Sequence, residues 1–324
     1  MKQIFPGILL SLLLAAPAWF AGQLYPLVGG PVLAILGGMA LSPFLTNKEV
    51  SSPGLKFTSK KALQGAIILL GFQLNLANVA AIGSQALLLI LLTYVTAFLT
   101  AFFVSNLIKT EENTSILIGV GTAICGGSAI AATAPVIGAR EEEIASSIST
   151  IFLFNILAVL IFPPLGRMLG MSDAAFGLWA GTAINDTSSV VAAGQIWSNS
   201  ALEFATIVKL VRTLGILPIA LVLGLRRTKK DSQHQTVHYT RIFPWFIVVF
   251  LVASSLTTVG FIHPTLQQIF SVTGKFFIVV AMAAIGLSTN IFRLIQSGKK
   301  PLMLGLCCWS AVVIVSLIAQ RMIY

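Results

Sequence analysis

Apolar residues in this chain do not recur with the 3.6-residue rhythm of a helix half in water. They run in blocks of about 20 separated by short polar connections. A block of that length matches a hydrocarbon core about 30 Å thick crossed by a helix rising 1.5 Å per residue. Eleven blocks qualify: 5–23, 26–46, 62–82, 85–107, 114–138, 143–165, 174–196, 201–225, 242–260, 264–292 and 301–323. The short alternating segments of a membrane β-barrel are missing. The longest polar connections, 47–61 and 226–241, leave no room for a soluble domain. The pattern predicts an all-α polytopic membrane protein of about eleven transmembrane helices in one transmembrane domain, 1–324. The first block, with Lys2 ahead of it and Ala16-Pro17-Ala18 within it, loosely matches a secretory leader. Its apolar run continues to Ala21, which favours a retained helix.

Composition agrees. Hydrophobic residues make up 56% of the chain and charged residues 9%, against about 25% charged in soluble proteins. A soluble enzyme, a disordered chain and a secreted disulfide scaffold are thereby excluded. The net charge of +10 sorts by position. With the N-terminus in the cytoplasm and strict alternation, the inside holds Lys2, Lys48, Lys56, Lys60, Lys61, Lys109, Arg167, Arg226, Arg227, Lys229, Lys230, Arg241, Arg293, Lys299 and Lys300. The outside holds Arg140 and Arg321, and Lys209, Arg212 and Lys275 fall within blocks. Fifteen against two is a positive-inside signal that places the N-terminus in the cytoplasm. The positive charge therefore reports topology and headgroup contact rather than a nucleic-acid partner. Cys125, Cys307 and Cys308 all lie in apolar blocks and form no disulfide framework.

Candidate chemistry lies where the blocks depart from a regular apolar helix. The fifth carries Thr122, Cys125, Gly126, Gly127 and Ser128, with Pro135 beyond. Paired glycines at mid-block allow the backbone to unwind, which lipid tolerates only against protein or a cavity. A break there starts a new helix near Ser128, and its N–H groups and positive dipole end form an anion site. Close packing through small residues is the competing reading. The seventh block holds Asp186, the one acid deep in a block, amid Asn185, Thr187, Ser188 and Ser189. An intramembrane carboxylate points to function or to a structural ion pair. Segments 121–134 and 181–194 match at six of fourteen positions, yet the count of crossings runs them in the same direction.

In the eighth block Lys209 and Arg212 share one helical face. Arg212 lies roughly 20 Å along the helix from Arg226, too deep to snorkel. Pairing with Asp186 would leave net positive charge, which favours an anionic substrate. The competing reading is snorkelling plus a structural pair. Lys275 adds a third cation in the tenth block, which ends Gly286-Leu287-Ser288-Thr289-Asn290. Gly71 and Asn75 repeat the spacing of Gly286 and Asn290 in an antiparallel block. Asn155 is a mid-block amide suited to bonding between helices or to site contact. His234 and His238 have Gln235 where a zinc protease motif needs Glu, so no metal is expected. Neither a nucleophile elbow nor a phosphate-binding loop occurs. This favours a secondary transporter over an enzyme or ATP-driven pump, with no cofactor beyond coupling H⁺ or Na⁺.

The segment Gly121-Thr122-Ala123-Ile124-Cys125-Gly126-Gly127-Ser128-Ala129-Ile130-Ala131-Ala132, then Asn185-Asp186-Thr187-Ser188-Ser189-Val190-Val191, then Lys209-Leu210, Arg212 and Ile216-Leu217-Pro218, resembles the bacterial YeiH-type sulfate exporter family. The resemblance covers nearly the whole chain in motif order. It implies membership of the cation/proton antiporter and anion transporter superfamily, with two inverted five-helix repeats and a crossed pair of broken helices. Segment 1–23 would then be an extra N-terminal helix, 26–165 the first repeat and 174–324 the second, with blocks five and ten as the crossing pair. Many members carry His where this chain has Asn185, which argues against a histidine proton relay here.

The expected function is export of a small sulfur oxyanion by elevator-type alternating access. A membrane negative inside favours anion exit by about 2.3 kcal/mol per charge per 100 mV. The alternative is a cation/proton antiporter with Asp186 as carrier. Expected partners are the anion and the bilayer; a homodimer is compatible.

Overall fold

The computed structural model describes residues 4–25, 28–45, 48–219, 222–223, 244–289 and 298–323. Among them there are helices and no strands. They are α1 (Phe5–Leu24), α2 (Gly29–Leu41), α3 (Lys48–Gly71), α4 (Leu76–Ile108), α5 (Glu112–Ala123), α6 (Gly127–Ile137), α7 (Glu141–Met168), α8 (Asp173–Ala183), α9 (Thr187–Trp197), α10 (Asn199–Leu214), α11 (Trp245–Thr258), α12 (Pro264–Ser288) and α13 (Lys299–Ile323). Five of these (α1, α4, α7, α12 and α13) are long and apolar enough to cross a membrane. One face of α4 exposes Leu88, Leu91, Val95, Leu99, Phe102 and Phe103 in unbroken succession. That face suits lipid, since an apolar strip of this length is not kept in water.

The helices pack as two bodies. One holds α1, α2, α3, α11 and α12. The other holds α4 through α10 together with α13. Glycines let backbones approach within the first body. A Cβ at Gly38 of α2 would lie 2.7 Å from the Leu287 nitrogen of α12, so α2 and α12 can touch only because that atom is missing. The bodies meet mainly where α9 lies on α2 and α12, and where α4 touches α11.

Two of the eleven expected crossings do not occur. Arg140, just past α6, pairs with Glu111, just before α5, at 2.8 Å. At the other end Trp197 closes α9 by stacking on Phe176 at the start of α8, with ring centroids 4.1 Å apart. Its indole N–H also donates to Asp173 Oδ1 at 2.8 Å. Each segment therefore goes in, turns, and returns to the end it left. The α5 and α6 helices have 12 and 11 residues, and α8 and α9 have 11 each. Each spans roughly 17 Å, about half a hydrocarbon core. A hydropathy run cannot separate a crossing from a return, because both place the same number of apolar residues in lipid.

The full-length α7 separates the hairpins, so they come in from opposite ends. Lys300 donates to the Lys109 carbonyl at 2.9 Å, placing Lys109, Arg140 and Lys300 together at what we term the basic end. Relative to strict alternation, only the stretch between the two turns changes ends. Arg140 and Arg167 exchange places and the tally stays at fifteen to two. The charge rule was thus blind to the error. Segments 121–134 and 181–194, expected to run in the same direction, belong to oppositely inserted hairpins. The tenth block is unbroken from Pro264 to Ser288, so the hairpin partner of block five is block seven rather than ten. Gly71 packs on the Phe250 carbonyl of α11 and Gly286 on the Ile35 carbonyl of α2, so their matched spacing joins nothing. Asn290, and the 226–241 loop with His234 and His238, lie outside the described residues.

Candidate binding site at two hairpin tips

The first tip turns at Ile124-Cys125-Gly126. Gly126 adopts φ +70°, ψ −131°, a backbone open in practice only to glycine. Its N–H bonds the Gly121 carbonyl at 2.9 Å and closes the turn. A Cβ there would meet Asp186 Cβ at 3.4 Å and Asn155 Nδ2 at 3.5 Å, so the two tips and the middle of α7 converge on this residue. The second tip breaks because its polar run competes for the backbone. Asp186 acts as the N-cap of α9, its Oδ2 accepting from the Ser188 N–H at 3.0 Å and from the Ser188 hydroxyl. Asn155 Oδ1 accepts from the Asp186 N–H at 3.1 Å and ties α7 to this tip.

Four half-helix ends therefore meet inside the bundle. The incoming halves α5 and α8 arrive carbonyl-first, with orphan acceptors and negative dipole ends. Lys209 and Arg212, both wholly buried on one face of α10, meet them. Lys209 Nζ donates to the Ile124 carbonyl at 2.8 Å and to Ile184 at 3.0 Å. Arg212 Nε donates to Ala123 at 2.6 Å, Nη1 to Ile184 at 3.2 Å, and Nη2 to Thr122. Each cation bonds both tips. This corrects the expected pairing with Asp186: the structure records ion pairs only around Arg140 among the described residues. Snorkelling also fails, because both cations are fully buried. A buried charge needs compensation, and five carbonyl bonds supply it.

The returning halves begin at the same place. Thr187 and Ser188 are buried at the start of α9. At the start of α6, Gly126 makes no side-chain cap bond, a Cβ on Gly127 would meet no atom within 4 Å, and Ser128 is exposed. Cys125 is buried at the turn as a free thiol. Asn185 is wholly buried, and neither atom of its amide finds a protein partner. Asp186 and the two cations leave one net positive charge, while the four half-helix dipole ends cancel.

Lys275 is not drawn into these bonds. It lies on α12, near enough to Glu203 of α10 to feel its charge but in no ion pair with it. Sequence reading passed over Glu203 because it sits near the start of its block. It also missed Tyr94, whose hydroxyl donates to the Arg212 carbonyl, one turn before α10 stops at Gly215. A tyrosine amid the aliphatic run of block four was the available signal, since its hydroxyl needs a partner in lipid.

The arrangement defines a class: a multi-pass helical membrane protein with two opposed re-entrant hairpins around a buried polar centre. Residues 6–305 match the family described as Conserved hypothetical protein 698, and the chain belongs to that family. It is 49% identical to a UPF0324 membrane protein of Streptococcus pyogenes, covering 97% of this chain and 96% of that one. It is 48% identical to a UPF0324 membrane protein of Fusobacterium nucleatum, covering 98% and 97%. The Streptococcus agalactiae relative is 47% identical over 99% and 98%.

Proposed function

We propose that this protein is a secondary transporter for a small oxyanion, with a sulfur oxyanion such as sulfate, sulfite or a sulfonate the first candidate class. The observation that carries the reading is the uncapped start of α6, open at Gly127 and Ser128, at the depth where both hairpin tips meet. An N-terminal half-helix end of this kind offers unsatisfied N–H groups and a positive dipole to an anion. The unpartnered amide of Asn185 and the net positive charge of the buried centre support it. So does the outer surface of the first hairpin. Ser128, Ala131 and Pro135 are exposed on α6, and no exposed large apolar residue falls between Leu107 and Ile161. A helix facing lipid would carry the Leu and Phe of α4; this one suits an aqueous cleft.

The two-body packing suits alternating access. The body bearing the hairpins would shift along α2 and α12 and carry the tips from one end to the other. In this reading the basic end is cytoplasmic, the membrane is the bacterial inner membrane and the anion leaves down the membrane potential. The sulfur assignment rests on the YeiH-type resemblance alone. A second reading is favoured by Asp186, which is half-buried and in no ion pair: a carboxylate free to carry H⁺ or Na⁺ in exchange. Purified protein in proteoliposomes separates the two. Labelled sulfate or sulfite efflux that responds to membrane potential supports the anion reading. Sodium-driven proton movement without any anion would replace it with the antiporter.

A further inference from the structure

The hydroxyls of this protein divide into two groups. Most that lie buried within helices bond back to a carbonyl three or four residues earlier: Ser11 to Gly7, Thr93 to Ile90, Thr182 to Leu178, Thr206 to Leu202, Thr213 to Lys209. That is the usual way a hydroxyl is satisfied in an apolar helix. Five others have no protein partner: Thr110, Thr122, Thr133, Ser147 and Thr150. Among the described residues these are all the buried hydroxyls left unmatched, and they occupy one region. Thr110 follows α4, Thr122 and Thr133 belong to the first hairpin, and Ser147 and Thr150 are on α7.

Their order runs from the basic end inward. Gly121 packs against both Ile130 of α6 and Ile151 of α7, and Gly126 against Ile151 and Asn155. Helices α6 and α7 are antiparallel, so Thr133 and Ser147 come at a similar level, one turn nearer the basic end. Glu143, Ser147 and Thr150 follow one face of α7 at i, i+4 and i+7, where α13 closes over Thr150 through Gly305. Glu143 is buried, and its carboxylate accepts from the Arg140 N–H at 2.6 Å and from Asn113 at 3.1 Å. Beyond it lies a cavity of about 300 Å³ at the basic end, bordered by Thr110, Glu143, Ser146 and Lys300. From Glu143 to Asn155, beside the tips, is about 18 Å along α7. Buried polar atoms without protein partners are usually served by water, each water making about three bonds.

We propose that the seam between the first hairpin and α7 is a narrow water-filled path from the basic-end cavity to the hairpin tips. Its ligand is water, held by Ser147, Thr133, Thr150 and Thr122 and ending at the Asn185 amide. The path hydrates the tips from the basic end. Its role in transport rests on the function proposed above, but its existence does not.

The test reads hydration without transport. In a Cys125→Ser, Cys307→Ala, Cys308→Ala background, single Ser147→Cys and Thr133→Cys variants in nanodiscs are exposed to silver ion. The remaining free thiol is then counted by maleimide mass after denaturation. Thr206→Cys and Thr93→Cys, at back-bonded positions, are the controls. Thiolate forms and binds metal only where water reaches it, so the seam thiols should react at least about tenfold faster than the controls. Should Thr133→Cys not yield monodisperse protein, Ser147→Cys carries the comparison alone. Rates equal to those of the controls would overturn the path. Adding Ser146→Trp at the cavity should slow the Ser147→Cys reaction, and an unchanged rate would overturn its opening at the basic end. Silver reactivity with no transport in liposomes would leave the path standing and count against the proposed function alone.

Discussion

Replacing Arg212 by Met keeps most of the side chain's length and removes its charge and its three donors. In the structure those donors satisfy the carbonyls of Thr122, Ala123 and Ile184. Ile184 keeps Lys209 as a donor at 3.0 Å, so two carbonyls lose their described partner outright. A buried acceptor left unmatched costs about 1–3 kcal/mol, which puts the loss at about 2–6 kcal/mol. Removing a buried cation returns part of that through desolvation it no longer suffers. Bonds within membrane proteins also measure toward the low end, about 0.6 to 1.7 kcal/mol each. A net destabilisation of about 2 kcal/mol is the expectation, or a fall in Tm of roughly 3 °C for a chain of this length. The assay is intrinsic-fluorescence unfolding of purified protein in one detergent, with Arg212→Lys alongside. Lys restores charge but not the planar fork that bonds three carbonyls of two hairpins, so it should fall between wild type and Met. A wild-type Tm for Arg212→Met would refute the view that this residue staples the tips together. A full rescue by Lys would show that only its charge matters.

Three further outcomes follow from the same geometry. Gly126→Ala should cost about 1–2 kcal/mol because its φ is positive. Gly127→Ala, whose Cβ meets nothing, should unfold at the wild-type temperature, and a reversed order would contradict the turn. Asp186→Asn should fold normally, since Asn caps a helix as well as Asp. In liposomes it should retain anion flux but lose any cation coupling; loss of folding would show the carboxylate to be structural. Single cysteines at Ala139 and Glu112 should be labelled by an impermeant maleimide from the same side of the membrane, with one at Leu169 labelled from the other. Labelling of Ala139 from the side opposite Glu112 would restore the simple crossing of block five.

The breaks themselves were legible. Gly126-Gly127 and the polar run from Asn185 to Ser189 mark the two turns to within a residue or two, because glycine freedom and side-chain capping are local properties. That the broken segments return rather than cross was not legible, since insertion depth depends on what the far half packs against. Arg140 with Glu111, and Trp197 with Phe176, are pairings across a turn that no window of sequence contains. The role of the buried cations shows the same division. Sequence placed Lys209 and Arg212 on one face, with Arg212 too deep to snorkel and Lys209 nearer the outer end. It then assigned them the nearest opposite charge, Asp186, whereas orphan carbonyls at two helix ends were the stronger claim on their donors.

By itself the sequence determined the class of the protein, a polytopic helical membrane protein with a polar centre. Those features follow from hydrophobicity, charge placement and backbone propensity, each of which is summed along the chain. Only the tertiary structure decided that blocks five and seven oppose each other as hairpins, that Lys275 stays out of the bonds at the tips, and that Asp186 caps a helix. These depend on which half-helix ends come together in a medium without water, where every carbonyl and every charge must find its partner within the protein.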